Sequence, residues 1–275
     1  MKLTFYDNAC CLYESESFRL LTDPWLSESC FENAWIHVNP LKTKPQDLLD
    51  VDALYISHLH QDHLDPETLK YFRRDIPIVT LKDKFSLCAR QLEKLGFSNV
   101  IAIPDKGVLH IGPFDITFFA PFRQHPFLNC QVGNVVDSAV IVEAGGVKVL
   151  NANDNTPDID SARWLGETYG PFDVAQINFN NASEYPCCFM NLSYGEKLAE
   201  SRKCIARNLA HMAEVGRLVK AKQVMPFAGS FKLSEKWEHM NEYLGATTDK
   251  KAVAYLQEQG LRAFTLAEGE SIHVE

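Results

Sequence analysis

Residues 52–64, DALYISHLHQDHL, decide how this chain is read. A short apolar run over 53–56 stops abruptly at Ser57 and gives way to His58, His60, Asp62 and His63, with Asp65 just beyond. Such a run predicts a strand buried on both faces that delivers polar side chains at its C-terminal end. Asp65-Pro66-Glu67 then reads as a helix start, with Asp as N-cap and Pro at the first helical position. Alternate residues of an extended or turning backbone point the same way, so His58 and His60 can converge on one point while Asp62 and His63 turn toward a neighbouring one. Imidazoles and carboxylates at this density suit a divalent transition metal, zinc first and iron or manganese otherwise, as one ion or as a pair about 3.5–4 Å apart.

Upstream, alternation over 2–6 and a run over 18–21 ending at Asp23-Pro24-Trp25 read as strands of a meander. Downstream, the pattern predicts a strand over 78–81, an amphipathic helix over 85–95 closed by Gly96, and a strand over 100–103. Apolar runs over 108–119 and 138–151, broken at Gly112-Pro113 and Gly145-Gly146, read as two hairpins. The second half holds a strand over 172–179, a long helix over 194–222 and a short strand over 223–227. A helix over 250–258 and strands over 262–266 and 271–274 complete it. With no boundary or repeat, residues 1–275 are expected to form one α/β domain of two sheets packed face to face with helices outside.

The 275 residues are 46% hydrophobic, enough to bury a sizeable core. Twenty-seven Lys and Arg against 36 Asp and Glu leave a net charge of −9, which argues against a nucleic-acid partner, because phosphate neutralisation needs clustered cations. Acidic residues interrupt the N-terminal stretch where a signal peptide needs an apolar core, and no run reaches about 18 apolar residues. The expectation is a cytoplasmic protein with no membrane span. Eight cysteines without a CxxC spacing read as free, mostly buried thiols.

HLHQDH resembles the HxHxDH signature of the metallo-β-lactamase fold superfamily. That resemblance implies a four-layer αββα sandwich and a metal-dependent enzyme. It also implies a third histidine, for which His125 in FRQHPF is the candidate, and a bridging aspartate, matched by Asp154 in VLNANDN. In the lactonase and phosphodiesterase branches, such as ascorbate-6-phosphate lactonase and N-acylphosphatidylethanolamine phospholipase D, a last histidine holds the second metal. Here the corresponding stretch is PFAGSF over 226–231, and Phe227 cannot ligate. The second site is then weak, absent or completed by another group. DPWL with downstream Trp35 and His37, SHLHQDHL followed by ETLK, DIPI and PFAGSF are similar to the metallo-β-lactamase-like part of CMP-N-acetylneuraminate hydroxylase over residues 22–231. That family also carries a Rieske iron–sulfur region, for which this chain has no paired Cys and His motifs, so the fold and the metal loop carry over and the oxygenase activity does not.

The expected activity is hydrolysis of an ester, lactone, amide or phosphodiester in a small-molecule substrate by a metal-activated water. His58, His60 and His125 would hold the first metal, with Asp154 and His63 bridging to or completing the second. Asp62 would ligate, or act as general base if one ion binds. The alternatives are a di-iron oxygenase of the same fold and a non-catalytic metal-binding relic. His37 can line the pocket or replace the missing ligand. Asn180, Asn181, Ser183, Glu184 and Tyr185 follow a strand ending at the same edge and are candidates for substrate contact, as is Arg123. Trp25, Trp35, Phe122 and Phe127 are candidates for an apolar wall. His110, His211, His239 and His273 read as structural or exposed, and oligomeric state is not legible.

Overall fold

The structure, a computed structural model, describes residues 1–122, 137–180 and 182–275. The chain opens with the antiparallel meander β1 (Lys2–Asp7), β2 (Cys10–Ser15) and β3 (Phe18–Thr22). After the two-residue strands β4 (Ser29–Cys30) and β5 (Trp35–Ile36) it returns to pair β6 (Ala53–Tyr55) in parallel with β3. The predicted cap is present: the Asp65 side chain accepts the Glu67 N–H at the start of the one-turn helix α1 (Pro66–Leu69). Strand β7 (Ile78–Leu81), helix α2 (Leu87–Lys94) and strand β8 (Val100–Ile103) extend this parallel half of the sheet.

The second sheet starts with hairpin β9 (Val108–Ile111) and β10 (Phe114–Phe119), followed by β11 (Ala139–Ala144) and β12 (Val147–Asn151). Gly145 and Gly146, with φ of 59° and 78°, make the tight turn between β11 and β12, a backbone shape that side chains with a Cβ resist. Helix α3 (Ile159–Thr168) crosses over to β13 (Phe172–Asn178), and α4 (Tyr194–Leu218) crosses over to β14 (Ala221–Phe227), both parallel to β12. Strand β15 (Lys232–Leu233) joins β5 and β4 in a small third sheet, α5 (Asp249–Glu258) follows, and β16 (Ser271–His273) closes the first sheet against β1.

The strand orders are β16-β1-β2-β3-β6-β7-β8 and β14-β13-β12-β11-β10-β9. Side-chain alternation sorts these strands into layers. Leu3, Tyr13, Tyr55, Phe118, Val149 and Phe227 fill the space between the sheets. Leu12, Leu54 and Ile78 face Leu69 and Leu92 on the helices outside the first sheet, while Ile141, Ala175 and Val224 face Leu165, Met212 and Leu256 on the helices outside the second. The result is the expected αββα sandwich. Each large apolar side chain sealed in it contributes about 1.5–3 kcal/mol of burial.

Helix α3 was not expected, and two expected elements differ in extent from the sequence pattern. The long helix stops at Leu218 rather than 222, since Lys220 turns left-handed (φ 57°) and residues from Ala221 pair with β13. Apolar periodicity continues through this junction, and only the neighbouring strand decides where it breaks. The expected strand over 262–266 makes a single bridge, Ala263 to Val224, because β14 is matched there through only two backbone hydrogen bonds, at Arg262 and Phe264. The seven described cysteines are free, with Cys188 alone exposed, and among the described residues no helix is long and apolar enough to cross a membrane.

Candidate metal centre

In each sheet the parallel strands end at the same edge, and the loops leaving β3, β6, β12 and β13 meet there. Strand β6 is sealed on both faces, so the chain leaves it in a fixed direction and carries His58 inward at 1% exposure. His58 Nε2 lies 2.8 Å from His60 Nδ1, 3.6 Å from Asp137 Oδ1 and 3.7 Å from Asp154 Oδ2. His63 Nε2 lies 3.3 Å from Asp154 Oδ2 and 3.4 Å from Asp62 Oδ2. Two donor groups result, His58 with His60 and Asp137, and His58 with His63 and Asp154, each with its ligand atoms within 4.8 Å of one another.

These residues fit a divalent ion on two counts. The donors are imidazole and carboxylate, which suits zinc, iron or manganese. His63 Nε2 and Asp137 Oδ1 are buried without a hydrogen-bond partner, an arrangement costing about 1–3 kcal/mol per group unless something occupies the space between them.

A buried network fixes the other side of the rings. Asp23, fully buried at the end of β3, accepts the Ser57 N–H and hydroxyl at 2.7 Å each, lies 3.1 Å from His63 Nδ1, and receives the Asn153 amide. The Ser57 hydroxyl oxygen also lies 2.9 Å from His58 Nδ1. Asn8 donates to Asp62 Oδ2 at 3.1 Å, and Asn178 donates to Asp154 Oδ1 at 2.7 Å. Both histidines thus have one nitrogen occupied by the protein and the other turned to the donor cluster, the orientation that outer hydrogen bonds give metal ligands.

Burial holds the His58 imidazole well below its usual pKa, aided by His63 and His60, and burial also lowers His60. For His63 burial acts in the same sense, but the carboxylates of Asp62, Asp154 and Asp23 outweigh it and hold the ring well above its usual value. Burial alone would raise Asp62; the His63 charge outweighs it and holds the carboxylate low. Asp137 is pushed up to about 7 by burial and by Asp154. Without an ion, His63 therefore carries a proton, and Asp137 carries one below about pH 7, and an ion must displace them. Metal affinity is expected to rise with pH through neutrality and to level off above the raised His63 pKa, with proton release. Calorimetric titration in buffers of differing ionisation enthalpy measures it, and pH-independent binding without proton release would contradict these protonation states.

His60, Asp62, Asp137 and Asp154 of the cluster line a cleft of about 400 Å³ together with Asn8, Phe31, Trp35, Asn178, Asn180, Gly229 and Phe231. Trp35 stacks on Phe231 at 3.7 Å, and Phe31 meets the Trp35 edge at 4.9 Å, making an aromatic wall in the same cleft as the carboxylates. Trp35 thus stands where an apolar wall was expected. Trp25 is instead buried against His37, and Phe122 packs on the outer face of the second sheet.

Of the expected site residues, the structure brings His58, His60, Asp62, His63 and Asp154 together. His125 and Asn181, with Arg123 and Phe127, lie outside the described residues. His37 is not at the cluster: its ring nitrogens are engaged by Asp7 Oδ2 at 2.6 Å and the Ser27 carbonyl at 2.8 Å, so it cannot replace the missing ligand. It faces a second cavity of about 610 Å³ on the other side of β5. Tyr185 donates to Glu200 at 2.7 Å and does not line the cleft, because its turn folds back onto α4. Phe227, at the position of the family's last histidine, points into the core at 6.1 Å from Phe5. His239 lies in a 3-10 segment, His211 meets the Pro157 carbonyl at 2.9 Å, and His110 pairs with Asp115 on the surface. Asp137 was missed; its only sequence signal is an acidic residue just before the apolar run of β11.

An αββα sandwich whose two sheets converge histidines and aspartates on a single edge has the fold and the candidate metal site of the metallo-β-lactamase type. The chain belongs to the beta-lactamase superfamily, whose domain model matches residues 18–227. It is 30% identical over 273 residues to the cytidine monophosphate-N-acetylneuraminic acid hydroxylase of Danio rerio, covering 93% of this chain and 42% of that one. The chain spans less than half the length of the curated relatives it matches first. Its fold is similar to CmlA, a diiron beta-hydroxylase from Streptomyces venezuelae, with TM-score 0.66, 19% identity and coverage of 99% and 54% of the two chains. It is equally similar to an isothiocyanate hydrolase from Delia radicum gut bacteria, with TM-score 0.66, 17% identity and coverage of 100% and 99%.

Proposed function

We propose that this chain is a metal-dependent hydrolase acting on an ester, lactone, amide or phosphodiester of a small molecule. The observation that carries the reading is the pair of donor groups sharing His58 at the 400 Å³ cleft, a volume suited to small ligands. His58, His60 and Asp137 would hold one ion, with His125 as a further candidate; Asp62, His63 and Asp154 would hold a second, Asp154 Oδ2 facing both. A metal held there, zinc in this reading, would supply an ionised water near neutral pH and electrostatic stabilisation for negative charge on the substrate oxygen. Asp62, pinned by Asn8, accepts the proton of the attacking water if a single ion binds. Phe31, Trp35 and Phe231 pack against the apolar part of the substrate and exclude water from it.

A second reading, a di-iron oxygenase, is favoured by one observation. Either donor group, the two being alternatives at His58 Nε2, is two imidazoles and one carboxylate, a set that suits iron as readily as zinc. One experiment separates them: metal analysis of protein purified without oxygen, then turnover of an ester, lactone, amide and phosphodiester panel beside oxygen uptake with reductant. Zinc or manganese with hydrolysis abolished by chelation is expected. Iron with reductant-dependent oxygen uptake and no hydrolysis would transfer the assignment to the oxygenase, and protein that binds no transition metal would leave the relic.

A further inference from the structure

Where the family's last ligand would stand, at the end of β14, three asparagines hold the backbone. The Ala228 N–H donates to the Asn8 carbonyl at 3.0 Å, and Ser230 N–H donates to the Asn8 side-chain oxygen at 3.2 Å. Asn180 donates to the carbonyls of Gly229 at 2.7 Å and Thr247 at 2.8 Å, and its own side-chain oxygen accepts the Thr247 N–H. Asn178 donates one amide hydrogen to the Ala228 carbonyl and the other to Asp154 Oδ1 at 2.7 Å, while its oxygen accepts the Asn180 N–H at 2.9 Å. Both amide hydrogens of Asn178 are thus used, one on the carboxylate and one on the backbone.

The consequence falls on Asp154. Its Oδ1 is tied to a neutral amide that is itself locked to two strand ends, so the carboxylate cannot rotate without breaking that bond. Its Oδ2 is the oxygen left facing His63 Nε2 at 3.3 Å and His58 Nε2 at 3.7 Å. Resting on the metal reading above, we infer that Asn178 is a positioning residue that fixes Asp154 as a one-oxygen ligand spanning the two donor groups. An amide suits this task because it bonds the carboxylate strongly yet adds no charge to compete with the metal. The same amide ties that orientation to the end of β14, so the strand that lacks a histidine still governs the metal centre, through a hydrogen bond in place of a ligand.

The test is a double-variant cycle read by cobalt(II) titration, following both affinity and visible absorption, with the melting temperature of the ion-free proteins recorded beside it. Asn178→Leu in the otherwise natural chain should weaken cobalt binding by about 10–100-fold, the usual cost of losing a ligand's outer partner, and should alter the absorption bands. In an Asp154→Ala background the same change should cost nothing further, because the carboxylate it acts through is already absent. Asn178→Ser, smaller and still polar, replaces Asn178→Leu where the latter is insoluble, with the same expected loss. Equal losses in both backgrounds, or no loss in either, would overturn the inference while leaving the metal reading intact. A natural chain that binds no cobalt would overturn both.

Discussion

Replacing His58 with alanine is expected to remove the ion held with His60 and Asp137, and with it all turnover, and the same change at His60 to do likewise. His58 Nε2, the one ring nitrogen not engaged by Ser57, lies 2.8 Å from His60 Nδ1 and 3.6 Å from Asp137 Oδ1, so it completes that donor group. Burial keeps it neutral, so it offers a lone pair at any physiological pH. The loss in affinity should exceed the roughly 10–100-fold that follows from removing an outer hydrogen-bond partner. Elemental analysis after exhaustive dialysis, with circular dichroism to establish the fold, decides it. A folded His58→Ala protein that retains as many ions as the natural chain, or wild-type turnover, would refute the assignment.

The other large effect is expected at Asp23. This carboxylate is fully buried and accepts from the Ser57 backbone and hydroxyl and from Asn153, with His63 Nδ1 3.1 Å away. Asp23→Ala leaves those groups buried without their acceptor, and breaking such a buried charged network costs about 3–5 kcal/mol. For a chain of this length that corresponds to a melting temperature lower by roughly 10 °C. Affinity at the His63 group should fall as well, since His63 loses the contact that orients its ring. Scanning calorimetry with metal titration measures both. An Asp23→Ala protein melting with the natural one would show that the network adds no stability.

The histidine loop and the strand before it are legible because their interactions are local. Residues 53–56 must be a strand for its apolar faces to be sealed between layers, and the polar residues that follow are then forced to its end. The Asp65-Pro66 cap and the Gly145-Gly146 turn are similarly written in adjacent residues. Strand register and helix ends are not, because β14 begins where β13 accepts it, not where the helical pattern of α4 ends.

The sequence by itself determined the two facing sheets with helices outside and the HLHQDH loop, while Asp154 was indicated through the resemblance to the metallo-β-lactamase superfamily. Periodicity and short spacings fix which faces are buried and which residues follow a strand. Tertiary structure alone decided that Asp137 joins His58 and His60, that Phe227 turns into the core, that His37 is spent on Asp7 and Ser27, and that Asn178 holds Asp154. Each of those depends on residues far apart in the chain meeting across two sheets. A contact of that kind is set by how the layers pack, so no local pattern encodes it.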